Sequence, residues 1–386
     1  MRSLHLLPAM IQLRSIPRSL VTYSIIGRCV LTALAIIPLF TAADVQGQAA
    51  GERRRNIPVN SVMRDSVVRT TARLVRRNYS DSSAGDRMAR AIEARLRRGE
   101  YAKVDSAAAL VEMLSTHLRE VRTDQHLRLD YFVVGRPMRA AAGAPSAEDI
   151  AARQKSSARR GFGIERVTRM PGNVALIALR SFEPPAVAAP ALAAAMQLVN
   201  TADALIIDLR QNGGGYGETV GELAAYFLPG ATPGSELYDR PSGRTERMIT
   251  RAAPVGPRFL HRPLLILTSR RTFSAAEGFA YMLQARGLAT VVGETTRGGA
   301  NPVQVFQISP NFAIFLPTGR VTDAVTGSNW EGVGVKPDEP IDAERAEATA
   351  YRKALELLIE RTTDADTLDE LREALARLKP AISASG

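Results

Sequence analysis

LLILTSRRTFSAAE, Leu264 to Glu277, reads as a buried strand that runs through a short turn into a helix. Leu264, Leu265, Ile266 and Leu267 form an unbroken apolar run after Pro263, the pattern of a central strand covered on both faces. Two arginines and Thr272, Phe273, Ser274 and Ala275 follow, and GFAYMLQARG then has helical character. A strand, a tight turn and a helix start can hold a serine beside free backbone N–H groups. Taken alone, Ser274 reads first as an ordinary helix N-cap.

Upstream, ALIIDLRQNGGGYG repeats the arrangement: a buried strand at Ala204–Leu209 runs into three glycines, Gly213, Gly214 and Gly215, and then the helix GETVGELAAYFL. Such a turn can aim N–H groups at an oxygen. The lysine of a phosphate-binding loop is missing, so an oxyanion site fits better than a phosphate cradle. Asp208 reads as a group that fixes the strand end. GFGIERVTRMPGNVALIALRSF forms a hairpin turning at PGN, ATVVGETT gives another short strand, and VQVFQISPNFAIFLPTGRVT gives two strands joined near Pro310 and Asn311. Strands alternating with helices imply an α/β fold. Residues 123–345 are its expected core and residues 346–386 a pair of C-terminal helices, the second opened by Thr367 with Glu370 three places on.

Before the core, residues 51–122 carry three helical segments with apolar residues at Val62, Val67, Val68, Leu74 and Val75, then Met88, Ile92 and Leu96, then Leu110, Met113, Leu114 and Leu118. They predict a small bundle, followed by a strand in LRLDYFVV. Arg136 to Arg160, rich in Ala, Arg, Ser and Pro, reads as a mobile connection.

The 386 residues, 45% hydrophobic and 23% charged, have a globular composition. Residues 1–50 differ: Arg2, Arg14, Arg18 and Arg28 precede the apolar CVLTALAIIPLF and the small-residue stretch TAADVQGQAAG. This predicts an export signal or, if uncleaved, an N-terminal anchor, and a periplasmic or extracellular protein. Cys29 is the single cysteine and lies in that leader, so the processed chain has no disulfide or thiolate metal site. The formal charge of +11 comes from scattered arginines without interleaved aromatics, which argues against nucleic acid as a partner. No His or carboxylate pair has metal-ligand spacing, and no cofactor is implied. The membrane enters only through the N-terminal segment.

Outside the leader, imidazole chemistry is confined to His117, His126 and His261. A nucleophilic serine needs a base, the base needs an orienting acceptor, and the tetrahedral intermediate needs donors. His126, the Gly213–Gly215 turn, Ser274 and Glu331 could fill these roles.

TDQHL, IIDLRQNGGG, TSRRTFSAAEGFAYMLQ, VVGETTRGGA and WEGVGVKPD, in that order and with the hairpin and bundle, make the sequence resemble the tail-specific or C-terminal processing serine peptidases. Their relatives include the tricorn core protease and interphotoreceptor retinoid-binding protein. The resemblance implies a ClpP/crotonase-like α/β core with an N-terminal helical bundle, and hydrolysis of peptide bonds in peptides or unfolded proteins. In the processing-protease branch the base is a lysine 25 residues beyond the serine; that position here is Gly299. The tricorn-like branch uses a histidine, with a glutamate that Glu331, 57 residues beyond Ser274, matches. The resemblance thus implies Ser274 as nucleophile, His126 as general base, Glu331 as indirect orienter, and Gly214 and Ala275 as oxyanion donors. Where that branch has a serine before the histidine, this chain has Gln125, with Asp124 as a substitute acceptor. A PDZ module has no room between His126 and the GFGIERV hairpin. The alternative is a protein that binds a peptide or hydrophobic ligand on the same scaffold without cleaving it.

Overall fold

The computed structural model describes residues 56–133, 147–250 and 254–378. The expected signal segment therefore lies outside the described residues. Three helices come first: α1 (Ser61–Asn78), α2 (Ser82–Arg97) and α3 (Ala107–Val121). The Asn60 side chain accepts from the Met63 N–H at 2.8 Å and the Asp81 side chain from the Ala84 N–H at 3.0 Å, which caps the first two. Val67, Val68, Val75, Met88, Ile92, Leu110, Leu114 and Leu118 share one core, whereas Val62, expected on that face, is 78% exposed.

The bundle leads into β1 (Arg128–Tyr131). The connection expected at 136–160 is helical over α4 (Ala147–Arg159), and residues 134–146 lie outside the described residues. The helix end is pinned to one buried carboxylate: Ser157 Oγ and Arg160 Nε each donate to Glu183 at 3.0 Å. A composition-based reading of this segment as mobile missed that tertiary anchor.

The hairpin β2 (Ile164–Met170) and β3 (Val174–Leu179) turns where expected, then α5 (Pro185–Val199), β4 (Ala204–Asp208) and α6 (Gly217–Ala224) follow. A second hairpin, β5 (Pro233–Asp239) and β6 (Arg244–Ile249), precedes β7 (Leu264–Thr268) and α7 (Ala275–Ala285). The remainder is β8 (Thr290–Gly293), β9 (Val303–Ser309), β10 (Phe312–Pro317), β11 (Gly319–Asp323), β12 (Glu339–Pro340), α8 (Ala343–Arg361) and α9 (Ala365–Arg377). The cap of α9 is Asp364, whose carboxylate accepts from the Thr367 N–H at 2.9 Å. Glu370, expected to close a capping box with Thr367, accepts from the Gly172 N–H at 3.3 Å instead.

The main sheet has the order β12-β8-β7-β4-β3-β2, with every pairing parallel except β2 with β3. Side chains from α5, α6 and α7 cover one face, and Ala346, Ala350, Ala354, Leu355 and Leu371 from α8 and α9 cover the other. Being buried on both sides is why β7 reads as a continuous apolar run; Leu265, Ile266 and Leu267 are 0% exposed. Each such side chain contributes about 1.5–3 kcal/mol by leaving water. Two antiparallel sheets complete the fold, β1-β10-β9 under the helical bundle and β11-β5-β6.

Candidate active site

Strands β4 and β7 are parallel neighbours, with Leu205 opposite Leu264 and Asp208 opposite Leu267. Their carboxyl ends therefore deliver the Gly213–Gly215 turn and Ser274 to the same edge of the sheet, the edge where open α/β sheets form their sites. Ser274 stands immediately before α7 with φ 57° and ψ −121°, a backbone conformation that costs a non-glycine residue about 1–3 kcal/mol. Gly214 faces it at φ 102°; a Cβ placed there would lie 2.8 Å from Ser274 Cβ and 3.1 Å from the Ala275 nitrogen. Only glycine lets the two turns approach this closely.

Glu277 holds the strained turn. Completely buried, its carboxylate accepts from the Ser274 N–H at 2.7 Å and the Gly299 N–H at 2.9 Å through one oxygen, and from the Gly298 N–H at 2.6 Å and the Thr296 hydroxyl at 2.5 Å through the other. Burial raises its pKa while these four donors oppose the rise. Sequence reasoning did not single out Glu277, although the S-x-x-E spacing from Ser274 to Glu277 was a signal for it.

His126 packs against Phe273, ring against ring at 4.4 Å between centroids. Its Cε1 would be 2.7 Å from a Cβ on Gly299, and the Phe273 ring would be 2.2 Å away. The two rings fill the space that a side chain at position 299 would need. No hydrogen bond joins Ser274 to His126, and the buried Nδ1 of His126 has no partner. Burial, with Arg128 and Arg297 adding repulsion, pushes the imidazole down to about 3, so it is neutral at pH 7.

Glu331 accepts from the Ala300 N–H at 2.7 Å and the Asn301 N–H at 2.9 Å through one oxygen, while its other oxygen is buried and unpaired. Burial raises its pKa to about 7, with Asp124 adding to the rise. Asp124 is buried, accepting from the Tyr79 hydroxyl at 2.9 Å and from the His126 backbone N–H at 3.0 Å. Three unpaired buried acceptors or ring nitrogens therefore surround the 299–301 turn: His126 Nδ1, Glu331 Oε1 and Asn301 Oδ1.

Three of the expected site residues have other partners or none in this structure. Gln125 is exposed and makes no side-chain hydrogen bond, because it lies on the outer side of a turn whose neighbours Asp124 and His126 are buried. Asp124 serves the His126 backbone and Tyr79, not the ring. The Gly214 N–H is engaged by Asn212 Oδ1 at 2.8 Å, since the buried Asn212 amide spans from that N–H to the Leu179 carbonyl. The Ala275 N–H has no acceptor among the described residues and faces the turn. Asp208 pairs with Arg210 at 2.7 Å, and Trp330 packs on Tyr281 while donating to the Gly299 carbonyl at 3.0 Å. Among the described residues no cluster of three His, Cys, Asp or Glu could hold a metal ion, and no helix is long and apolar enough to cross a membrane.

Two family models match this sequence. That of peptidase family S41 covers residues 173–341, and that of the N-terminal domain of S41 peptidases in eukaryotic IRBP covers residues 55–158. The chain belongs to peptidase family S41. The two matches divide between α4 and β3. A carboxyl-terminal-processing protease from Synechocystis is 30% identical over 165 residues, 41% of this chain and 37% of that protein. The chain thus spans little more than a third of that relative's length. Among solved structures, a lipoprotein from Streptococcus agalactiae superposes with a TM-score of 0.51 at 17% identity, covering 75% of this chain and 96% of that one. A candidate peptidase from Parabacteroides merdae gives 0.51 at 17% identity over 84% and 99%. At such identities these two neighbours speak for the S41 fold.

Proposed function

We propose that the chain is a serine peptidase that cleaves peptides or unfolded protein segments through Ser274, with His126 as general base and then acid. The observation that carries this reading is the His126 ring lying against Phe273 in the space of a missing side chain at Gly299, one turn from a strained Ser274. His126 takes the hydroxyl proton, Ser274 Oγ attacks the carbonyl, and the Ala275 N–H meets the developing oxyanion. The Gly214 N–H joins it on leaving Asn212. Losing one such donor typically costs about 2.7–4 kcal/mol of transition-state stabilisation. His126 then protonates the leaving amine, and water releases the acyl group by the reverse steps.

An imidazole held near 3 is a weak base, so catalysis requires its cation to be stabilised as it forms. The unpaired Glu331 Oε1 supports the assignment of that task to Glu331, acting through a water or through a small closure of the site. A fluorophosphonate probe should label the wild-type chain and leave Ser274→Ala unlabelled; equal labelling of the two would sink the proposal. The absent Ser274–His126 hydrogen bond favours a second reading, a peptide-binding protein without hydrolysis. That reading predicts no labelling and no cleavage even with a bound peptide. The arginine-rich and apolar first 50 residues support export, and N-terminal sequencing of the secreted chain would find a start beyond residue 40 if the leader is cleaved.

A further inference from the structure

Helices α1 and α2 carry nine arginines against three carboxylates. Val67, Val68, Thr71, Ala72 and Val75 of α1 and Ala84, Met88, Ala89 and Ile92 of α2 are buried. Arg69, Arg73 and Arg77 on α1 and Arg87, Arg90 and Arg97 on α2 therefore fall on the outer faces, and all six are exposed. The seam between the helices opens on that same side, where the half-exposed Arg76 reaches across to Glu93 at 2.9 Å and Asp86 at 3.5 Å and so engages the carboxylates there. Among the described residues, Arg69, Arg77, Arg90 and Arg97 have no side-chain partner. Arg73 and Arg87 reach only the Thr70 and Ser83 hydroxyls of their own helices, at 3.2 and 2.8 Å. By contrast, the exposed Arg166, Arg180 and Arg247 elsewhere in the molecule each pair with a carboxylate.

Arg69, Arg73 and Arg77 recur at four-residue spacing, which sets them about 6 Å apart along the helix. Like charges at that spacing work against a helix, whereas a glutamate in the row would support it. Helix stability thus does not account for the row; a plane of phosphates facing it does. Val62, seven residues before Arg69 and so on the same face, is 78% exposed and adds an apolar contact beside the charges. The leader adds a second argument. Its apolar run CVLTALAIIPLF is short for a membrane span and ends at Phe40, 21 residues before Ser61, so a leader held in a bilayer keeps α1 within about 70 Å of it. One weak apolar signal gives only marginal attachment until a basic patch joins it.

We propose that the outer face of α1 and α2 docks on an anionic phospholipid surface, the six arginines meeting headgroup phosphates and Val62 entering the interface. The attachment is electrostatic and reversible, and it holds the chain at the membrane with or without the leader.

The test uses the full chain as recovered from the expressing cell, sedimented with vesicles of phosphatidylcholine alone or of phosphatidylcholine and phosphatidylglycerol in equal parts. Partitioning onto the anionic vesicles should exceed that onto the neutral ones by about tenfold or more at low salt, and the excess should shrink as salt rises. Two separate triple changes, Arg69→Gln with Arg73→Gln and Arg77→Gln, and Arg87→Gln with Arg90→Gln and Arg97→Gln, should each remove most of the excess. Using both keeps the result independent of the folding of either helix. A control, Arg244→Gln with Arg320→Gln and Arg372→Gln, removes the same charge from exposed sites on β6, β11 and α9 and should stay within about twofold of the parent. The leader is common to all of them, so the differences belong to the bundle. Equal partitioning onto both vesicles, an excess that survives both triple changes, or an equal loss in the control would overturn the docking face. So would a dimer in light scattering that the triple changes dissociate while vesicle binding is absent, a result that gives the face to a second copy of the chain.

Discussion

At Gly299 the absence of a side chain makes room for two aromatic rings. A Cβ there would come within 2.2 Å of Phe273 Cε2 and 2.7 Å of His126 Cε1, so even Gly299→Ala must displace one of the two rings. Overpacking of this kind costs about 1–3 kcal/mol. Gly299→Ala should lower the Tm and slow probe labelling, while loss of stability with unchanged labelling would separate the ring contact from the chemistry. Glu331 makes a second prediction through pH. Its pKa is about 7 in the folded chain against an ordinary value of 4.5, so between these values the folded state holds a proton that the unfolded state has lost. Its contribution to stability is fully present below pH 4.5 and is lost as pH rises through 7. The Glu331→Gln variant should therefore gain on wild type across that window and hold a constant difference outside it, by denaturant titration at a series of pH values. If the ionised Glu331 supports the His126 cation, kcat/KM should rise through about pH 7 in wild type and lose that limb in the variant.

Between elements, the Glu277 carboxylate ties the start of α7 to the 296–299 turn with four bonds. Glu277→Gln keeps one acceptor oxygen, and its amide would face either the Ser274 and Gly299 N–H groups or the Gly298 N–H and the Thr296 hydroxyl. Leaving buried donors unpaired costs about 1–3 kcal/mol each, so the variant should unfold about 3 kcal/mol more readily and label more slowly. A variant of wild-type stability would show that the clamp is slack. These bonds explain what could be read from the sequence and what could not. β4 and β7 were legible because burial on both faces leaves an unmixed apolar run, and Ser274 and Gly214 because a turn after such a strand admits few residue types. The β5–β6 hairpin was not anticipated: its second strand is exposed along its length, so no alternation marks it. Gln125 misled because neighbours on a turn face opposite ways, and the engagement of Gly214 by Asn212 depends on a side chain that no spacing rule predicts.

Across the whole molecule the site is assembled from two cores. His126 follows the bundle, whose core runs through Leu127, Leu129 and the β9–β10 strands, while Ser274 springs from the sheet core. Their relative placement therefore depends on a few ties between the bundle and the rest: the Ser80 N–H to the Pro317 carbonyl at 2.8 Å, Arg240 to the carbonyl of Arg76 at 3.0 Å and to that of Tyr79, and Tyr79 to Asp124 at 2.9 Å. Tyr79 is the sharpest of these because Asp124 passes its hold on to the His126 backbone at 3.0 Å. Removing the hydroxyl in Tyr79→Phe leaves a buried carboxylate oxygen without its donor, at a cost of about 1–3 kcal/mol. The ring remains, so the bundle should keep its far-ultraviolet circular dichroism. The turn at residues 124–126 should loosen, and His126 with it, so that probe labelling slows by more than in a control such as Val62→Ala on the exposed face of α1. Tyr79→Phe with a lowered Tm and undiminished labelling would mean that the sheet alone, through Phe273 and the 299 turn, positions the base, and that the bundle contributes stability without contributing to the reaction.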